Sequence, residues 1–467
     1  MSFWERIRGS GQSPIGERLL VMAIWFSKQR HWIPVCLNNN QRPAFLGYFF
    51  LNNCKRTFLK KMTLYRLLDT IQFSDLTHPK DVSDFIKAVD LGKKAGFKEF
   101  KVDFSDTITA FPNASVPISG LIDYYKNNGV PVREIGESSI VNAIHLLEPI
   151  IIQSESDLTS MNSLNKIFKF MDSNHVFWLV NSMLDELSSS DKFEKGVLEG
   201  IEWCLNEVMD NVIQHSNSNY GFVMGQIHKT SKHVAFTVFD AGRGIYNSLK
   251  NSSHNPRTPI DALTISLQEG VTRDKKIGQG NGMYGLRRII ENNEGRLTLT
   301  SNSASYFLKG NQAKTFSRIP TLSREQGCAI VDFQLDYQKN VSIADALKFN
   351  GKSYDPINLK IEELENDKGE IEFMLLQKSS GFGTRQAGER IRNQILNIHQ
   401  QSSQIIVIDF KGVELISSSF ADELLGKLVV EFGFFGFNNL IRMRNMNSLI
   451  QNIVQRSVSQ RMAESIE

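Results

Sequence analysis

The chain is poor in the features that mark special classes of protein. Its four cysteines (Cys36, Cys54, Cys204 and Cys328) share no close spacing, so neither a disulfide framework nor a cysteine-based zinc site is indicated, and a reducing compartment fits best. Long hydrophobic runs are missing from the opening segment: LLVMAIWF (19–26) is its longest, far short of the ~20 apolar residues that span a bilayer. Nor is there a clean signal-peptide pattern, because Arg6, Arg8 and Arg18 are spread out and no small-residue cleavage site follows the apolar run. Long polar tracts are absent too, and with 41% hydrophobic and 22% charged residues the composition is that of a globular protein.

Charge of one sign is scarce, but its distribution is uneven. The net charge of +3 combines +8 over residues 1–61 with −5 over the remainder. Trp4, Trp25 and Trp32, three of the five tryptophans, also fall in that opening segment. It reads as an accessory extension, as a basic arm for an interface or nucleic acid, or as sequence upstream of an alternative start at Met62, where MTLYRLLDTIQF begins a cleaner globular pattern. The acidic main body calls for no specific nucleic-acid partner.

A length of 467 residues predicts two to four domains on a prior of ~100–200 residues each. One long-range repeat stands out. Residues 97–129 can be laid on residues 403–436, each with an apolar strand ending in Asp-Phe (Asp103-Phe104 and Asp409-Phe410), a loop, and an amphipathic helix. Between them, residues 160–340 predict helices, paired strands at 220–228 and 233–240, a helix at 283–293 and strands at 295–301 and 327–335. Residues 303–326 read as a loop or insertion, and a polar linker is expected near 338–370.

The central stretch carries the chemistry. In CLNEVMDNVIQHS, Leu205, Val208, Met209, Val212 and Ile213 form one apolar helix stripe, while Glu207, Asn211 and His215 stack on another. Alone, such a row is most often a solvated face. Downstream, the strand HVAFTVFD runs into D-x-G-x-G (Asp240, Gly242, Gly244), where a carboxylate can accept from an exocyclic amine and glycines admit a flat ring. Then GQGNGMYGLRR places Gly280, Gly282 and Gly285 at the opening of a helix, an arrangement suited to phosphate.

This ordered series resembles the GHKL ATPase superfamily over about residues 190–340. The resemblance implies an α/β two-layer sandwich that binds ATP with Mg²⁺. In it Asn211 would hold the metal, Asp240 would read the adenine amine, and Gly242, Gly244, Gly280, Gly282 and Gly285 would shape the nucleotide site. Arg273, Lys275 and Lys276 would lie in a mobile lid, as phosphate contacts or merely as a solvated basic loop. Glu207 stands where histidine kinases usually have Asn, and E-x-x-x-N-x-x-x-H looks most like the anti-sigma-factor serine kinases and the hydrolysing ATPases of the superfamily. That implies a general base at Glu207.

The stretch IIVIDFKGVELISSSFADELLGKLV resembles the STAS-like domains found beside such ATPases. The family's phospho-acceptor position falls on Ser418, and its preceding Asp is replaced by Ser417. The serines also suit a helix cap, with Ser419 as N-cap and Asp422 at N3. Residues 97–129 would be a degenerate copy with Phe111-Pro112-Asn113 in place of the serines. Arg385, Arg390 and Arg392 offer themselves to an acidic or phosphorylated partner, or form an ordinary solvated face. The expected architecture is therefore α/β throughout: an extension (1–61), a degenerate STAS-like module (62–155), a GHKL domain (160–340) and a STAS-like domain (341–467). The expected function is a cytoplasmic, Mg-ATP-controlled regulatory switch with a protein partner, acting as a serine kinase in its sharper version. The alternatives are an ATP-hydrolysing machine that dimerises through its lid and flanking elements, for which a homodimer is one arrangement, and a silent ATP-binding scaffold.

Overall fold

Strand periods of two and helix periods of 3.6 alternate along the chain, and the elements follow them. The computed structural model describes residues 64–464 except 160, 272–280, 324–325, 350–351, 354–363, 367 and 380, with only the backbone at 352–353 and nothing of the side chain at 464. Before residue 64 it describes the backbone of one antiparallel hairpin, Leu20–Trp25 with Trp32–Leu37. The run LLVMAIWF therefore supplies a strand, and among the described residues no helix is long and apolar enough to cross a membrane. The hairpin belongs to a unit, Met1–Thr63, that is separate from Leu64–Glu467.

In the larger unit, β1 (Leu64–Leu67), β2 (Thr70–Phe73), α1 (Pro79–Lys94), β3 (Phe100–Asp103), α2 (Pro112–Asn127) and β4 (Val132–Gly136) come first. They make a four-stranded sheet in the order β1-β2-β3-β4, parallel except for β1. Helix α1 buries Val82, Phe85, Ile86 and Val89, spaced i, i+3, i+4 and i+7. Its start is fixed by Pro79 at the first turn and a reciprocal cap between His78 and Asp81.

The central elements are β5 (Phe168–Phe170), α3 (Ser173–Ser190), α4 (Val197–His215), β6 (Gly221–His228), β7 (His233–Asp240), α5 (Gly244–Leu249), α6 (Pro259–Ser266) and α7 (Gly282–Asn292), followed by β8 (Arg296–Ser301), β9 (Ala304–Lys309), β10 (Gln312–Ser317) and β11 (Ala329–Asp336). Seven strands form one antiparallel sheet ordered β10-β9-β8-β11-β7-β6-β5. Residues 304–317, expected to be loop, are instead a hairpin. Its outer strand β10 is exposed along its whole length, so it lacks the alternation of burial that marks a strand in sequence.

Both faces of this sheet are covered. Val234, Phe236 and Val238 of β7 point into a core with Leu205, Met209 and the helices α3, α4 and α7. Phe222, Met224 and Phe239 point the other way, into a core shared with Val102, Phe104 and Leu121 of the first module. Helix α2 lies on that rear face, and Gly120 makes the close approach possible: a Cβ there would sit 2.2 Å from the Phe239 ring.

The chain ends with β12 (Ile371–Met374), α8 (Arg385–Gln401), β13 (Ile406–Asp409), α9 (Ser418–Ala421, continued by a π-helical turn Asp422–Gly426 and by Lys427–Leu440 with a kink at Gly433), β14 (Ile441–Arg444) and α10 (Ser448–Glu464). The three strands are parallel, in the order β12-β13-β14. The path β12-α8-β13-α9-β14 repeats β2-α1-β3-α2-β4, with the Asp-Phe strand in the middle each time. In both copies the Asp accepts from the amide two residues on, Ser105 N at 3.0 Å and Lys411 N at 2.7 Å. This last module has a core of its own. The linker expected near 338–370 lies partly outside the described residues, and its first part is packed: Val341, Ala346 and Leu347 are buried.

Candidate functional site

Helix α4 presents its apolar stripe to the sheet, with Leu205, Val208, Met209 and Val212 buried. The row Glu207, Asn211 and His215 consequently faces a cavity of about 490 Å³ between α4, the ends of β7 and β11, and the start of α7. Asp240, Gly244 and Gly282 line the same cavity. Residues spread over 75 positions of sequence thus meet around one space of ligand size. Gly242 sits behind Asp240 and is not part of the lining. Gly285 lies one turn into α7, where a Cβ would press on Trp203 and Leu347, so its smallness serves helix packing. Arg273, Lys275, Lys276 and Gly280 lie outside the described residues.

Asp240 ends β7 with 5% exposure, and its Oδ1 accepts the Gly242 N–H at 2.8 Å. Burial pushes its carboxyl up to about 7, against the downward pull of that hydrogen bond. The turn after it is tightly packed. A Cβ on Gly242 would stand 2.2 Å from the Ser216 carbonyl at the end of α4, and Gly244 has φ +75°, in the region open to glycine. The short helix α5 is then tied to β8: Ile245 N donates to Ser301 Oγ at 2.9 Å, and Tyr246 N donates to Asn302 Oδ1 at 3.0 Å. Behind Asp240, burial and that carboxylate push the Cys328 thiol up to about 12.

At the other end, Glu207 lies against the first residue of α7. A Cβ on Gly282 would be 1.9 Å from Glu207 Oε2, so a larger residue there would displace the Glu207 carboxylate from its present position. Burial, with the Asp210 charge adding to it, holds the Glu207 carboxyl above its ordinary value, and burial does the same to Asp210. The free amides and positive end of an eleven-residue helix face this region. Asn281 Oδ1 accepts Gly270 N at 3.2 Å, which brings the two ends of segment 271–281 together.

The arrangement offers a buried acceptor for an amine at one end. At the other it offers an anion-binding helix terminus beside a carboxylate of raised pKa. Asn211 lies on the helix between them, with Glu207 and Asp210 near it. An amide oxygen with one or two carboxylates suits Mg²⁺, which keeps waters and takes phosphate oxygens for its remaining positions. Among the described residues no cluster of three or more His, Cys, Asp or Glu could hold a metal alone. The sequence reading missed Ser301, Asn302 and Asn281; Asn281, between two glycines of the turn, was the most visible of the three.

In the last module, β13 ends at the buried Asp409, which also accepts from Asn445 Nδ2 at 2.8 Å. The helix cap is Ser417 and not Ser419: Phe420 N donates to Ser417 Oγ at 3.0 Å, and Ser419 Oγ meets Ser417 Oγ at 3.0 Å. The first helical residue is Ser418, which is exposed. The three arginines, read from sequence as a partner surface or a solvated face, make ion pairs within the chain. Arg385 pairs with Asp422 and Glu423, and Arg392 pairs with Glu423, a carboxylate 1% exposed. Arg390 makes a two-pronged pair with Glu186 of α3, at 2.8 and 2.9 Å.

That pair belongs to a polar seam between α8 and α3. Asn397 Nδ2 donates to the Ser188 and Asp191 carbonyls, both at 2.9 Å, and its Oδ1 accepts Phe193 N at 2.8 Å. Asn393 Nδ2 donates to the Ser189 carbonyl at 3.2 Å, and Gln394 Nε2 to Ser189 Oγ at 2.6 Å. The seam closes the C-terminal end of α3, whose last carbonyls have no partner within the helix.

Compared with known sequences, the chain matches no curated protein. A family model described as "STAS-like domain of unknown function (DUF4325)" matches residues 387–451, from α8 into α10. Residues 387–451 are a STAS-like domain, which fits a regulatory role in general and a part in protein interaction.

Proposed function

We propose that the cavity binds Mg-ATP in the manner of the GHKL ATPases, and that nucleotide state governs how the STAS-like domain engages a protein partner. The observation that carries this reading is the meeting of Glu207, Asn211, Asp240 and Gly282 around one cavity. Asp240 accepts from the adenine amine, and the amides opening α7 hold phosphate oxygens. Asn211, with Asp210 or Glu207 near it, would hold Mg²⁺, which would offset the negative charge of the phosphates. Glu207, its carboxyl raised by burial, orients a hydroxyl or water and takes its proton. Serine phosphorylation is the sharper form of the reading, because Ser418 Oγ is exposed while the neighbouring Ser417 hydroxyl is spent on the cap.

Calorimetric titration with Mg-ATP, followed by protein mass and free-phosphate measurement, tests it. Asp240→Asn should weaken binding about tenfold or more, and undiminished affinity would remove the assignment. Glu207→Gln should abolish turnover yet keep binding within about threefold, by analogy with the loss of a general base worth roughly 10²–10⁴ in rate. Phosphate on Ser418, lost in Ser418→Ala, supports the kinase form. Free phosphate alone supports hydrolysis.

A further inference from the structure

One end of the first module carries a surface that neither the cavity nor the α3–α8 seam uses. Strands β1 and β2 are joined by a two-residue loop, Leu68–Asp69, closed by the pair Leu67 and Thr70. Leu68 has φ +57°, in the left-handed region where such loops take glycine or asparagine and where a bulky side chain is strained. Leu67 and Leu68 are nevertheless 56% and 66% exposed. The strain therefore gains no burial within the chain, and an outlier of this kind points to a contact made by the tip itself.

The surroundings of the tip are basic. Lys101 N donates to the Asp69 carbonyl at 2.8 Å, and the Arg66 guanidinium lies 5.9 Å from the centre of the Phe97 ring. The tip, the loop after α1 and the start of β3 thus form one end of the module. Lys93 and Lys94 close α1 there, Lys98 follows in the loop, and Lys126 is in the last turn of α2; all four are exposed. Leu91, beside them on α1, is 56% exposed. Lys101 pairs with Asp69 at 3.0 Å and Arg133 with Glu99 at 3.5 Å, while Asp90, near Lys93 and Lys94, offsets one of the two. Residues 62–467 carry −5 in all, so this basic end stands out from an acidic body.

We propose that this end of the first module docks on an anionic lipid surface, with Leu67 and Leu68 entering the headgroup region and the lysines lying against the anionic headgroups. Apolar side chains enter that boundary favourably, and each basic residue held near an anionic leaflet adds attraction. The backbone of the tip is suited to leaving water. The Leu68 carbonyl accepts from Arg66 Nη1 and the Asp69 carbonyl from Lys101 N, so both loop carbonyls keep a partner there. A nucleic acid fits less well, because the two side chains at the tip offer no donor to phosphates or base edges. The proposal is independent of the nucleotide reading.

Sedimentation of the full chain with phosphatidylcholine vesicles, with and without about one-third phosphatidylserine, tests the proposal. The wild type should bind the anionic vesicles about tenfold more tightly or better, and added salt should weaken that binding. Leu68→Asn suits the left-handed conformation, so it should leave the melting temperature unchanged or higher while weakening vesicle binding several-fold. Lys94→Glu combined with Lys98→Glu should weaken it about tenfold or more. No preference for anionic vesicles overturns the proposal. Undiminished binding in both variants also overturns it, and would assign the attraction to the basic segment 1–61. Tighter binding to a single-stranded oligonucleotide than to the anionic vesicles, lost in the same variants, would put a nucleic acid in place of the lipid.

Discussion

At the residue scale, Asp240 sets a pH dependence with a definite sign. In the nucleotide reading proposed above, its carboxylate accepts from the adenine amine; once protonated, it no longer does so as a full acceptor. With its pKa raised to about 7, acceptor strength is lost as pH falls through that value. The Kd for Mg-ATP is therefore expected to rise by up to about tenfold per pH unit below about 7. Titrations between pH 6 and 8 check this, and Asp240→Asn removes the nucleotide's own protonation from the comparison. Equal slopes in both proteins would rule Asp240 out as the titrating group. Most of this site could be read in the sequence, because each motif sits at a junction of elements that the hydrophobic period already placed. The position of Gly285 could not. Its role in packing against Trp203 and Leu347 depends on which way α7 faces, and a glycine-rich turn does not reveal that.

At the scale of elements, the α3–α8 seam is built from side chains bonded to backbone at a helix end. Its weight falls on Asn397, which is 2% exposed and joins three backbone groups of residues 188–193. Asn397→Ala should cost about 1–3 kcal/mol at this joint and split urea unfolding into two transitions, the STAS-like domain melting first. One unchanged transition would show that the joint is held elsewhere. Helices and strands were legible here because β13 and α8 carry clean periods. The fates of Arg385, Arg390 and Arg392 were not, since their partners are tertiary: Glu186 is 204 residues from Arg390. The cap fell on Ser417 because the helix begins one residue after it, and a run of three serines fixes a cap only to within its own length.

At the scale of the whole molecule, two modules of the same path are joined to the central sheet by different physics. The C-terminal one keeps a separate core and docks through polar bonds that water can replace. The first shares its core with the rear face of the sheet. That sharing left a trace in sequence: YGFVMGQIH and HVAFTVFD are apolar on both faces, as strands covered on both sides must be. Gly120 is where the union is tightest. An alanine at an exposed helix position normally gains about 1 kcal/mol over glycine. Here the added methyl would meet the Phe239 ring at 2.2 Å, and overpacking of about 1–3 kcal/mol outweighs the gain. Gly120→Ala should therefore lower the melting temperature, and a rise would contradict the packing described. The shared core also sets the order in which the protein can be made. Phe239 follows Gly120 by 119 residues, so at a synthesis rate of about 5–20 residues per second the apolar side of α2 waits roughly 6–24 s for its cover. During that interval the nascent chain is the part of this protein's life most in need of a chaperone.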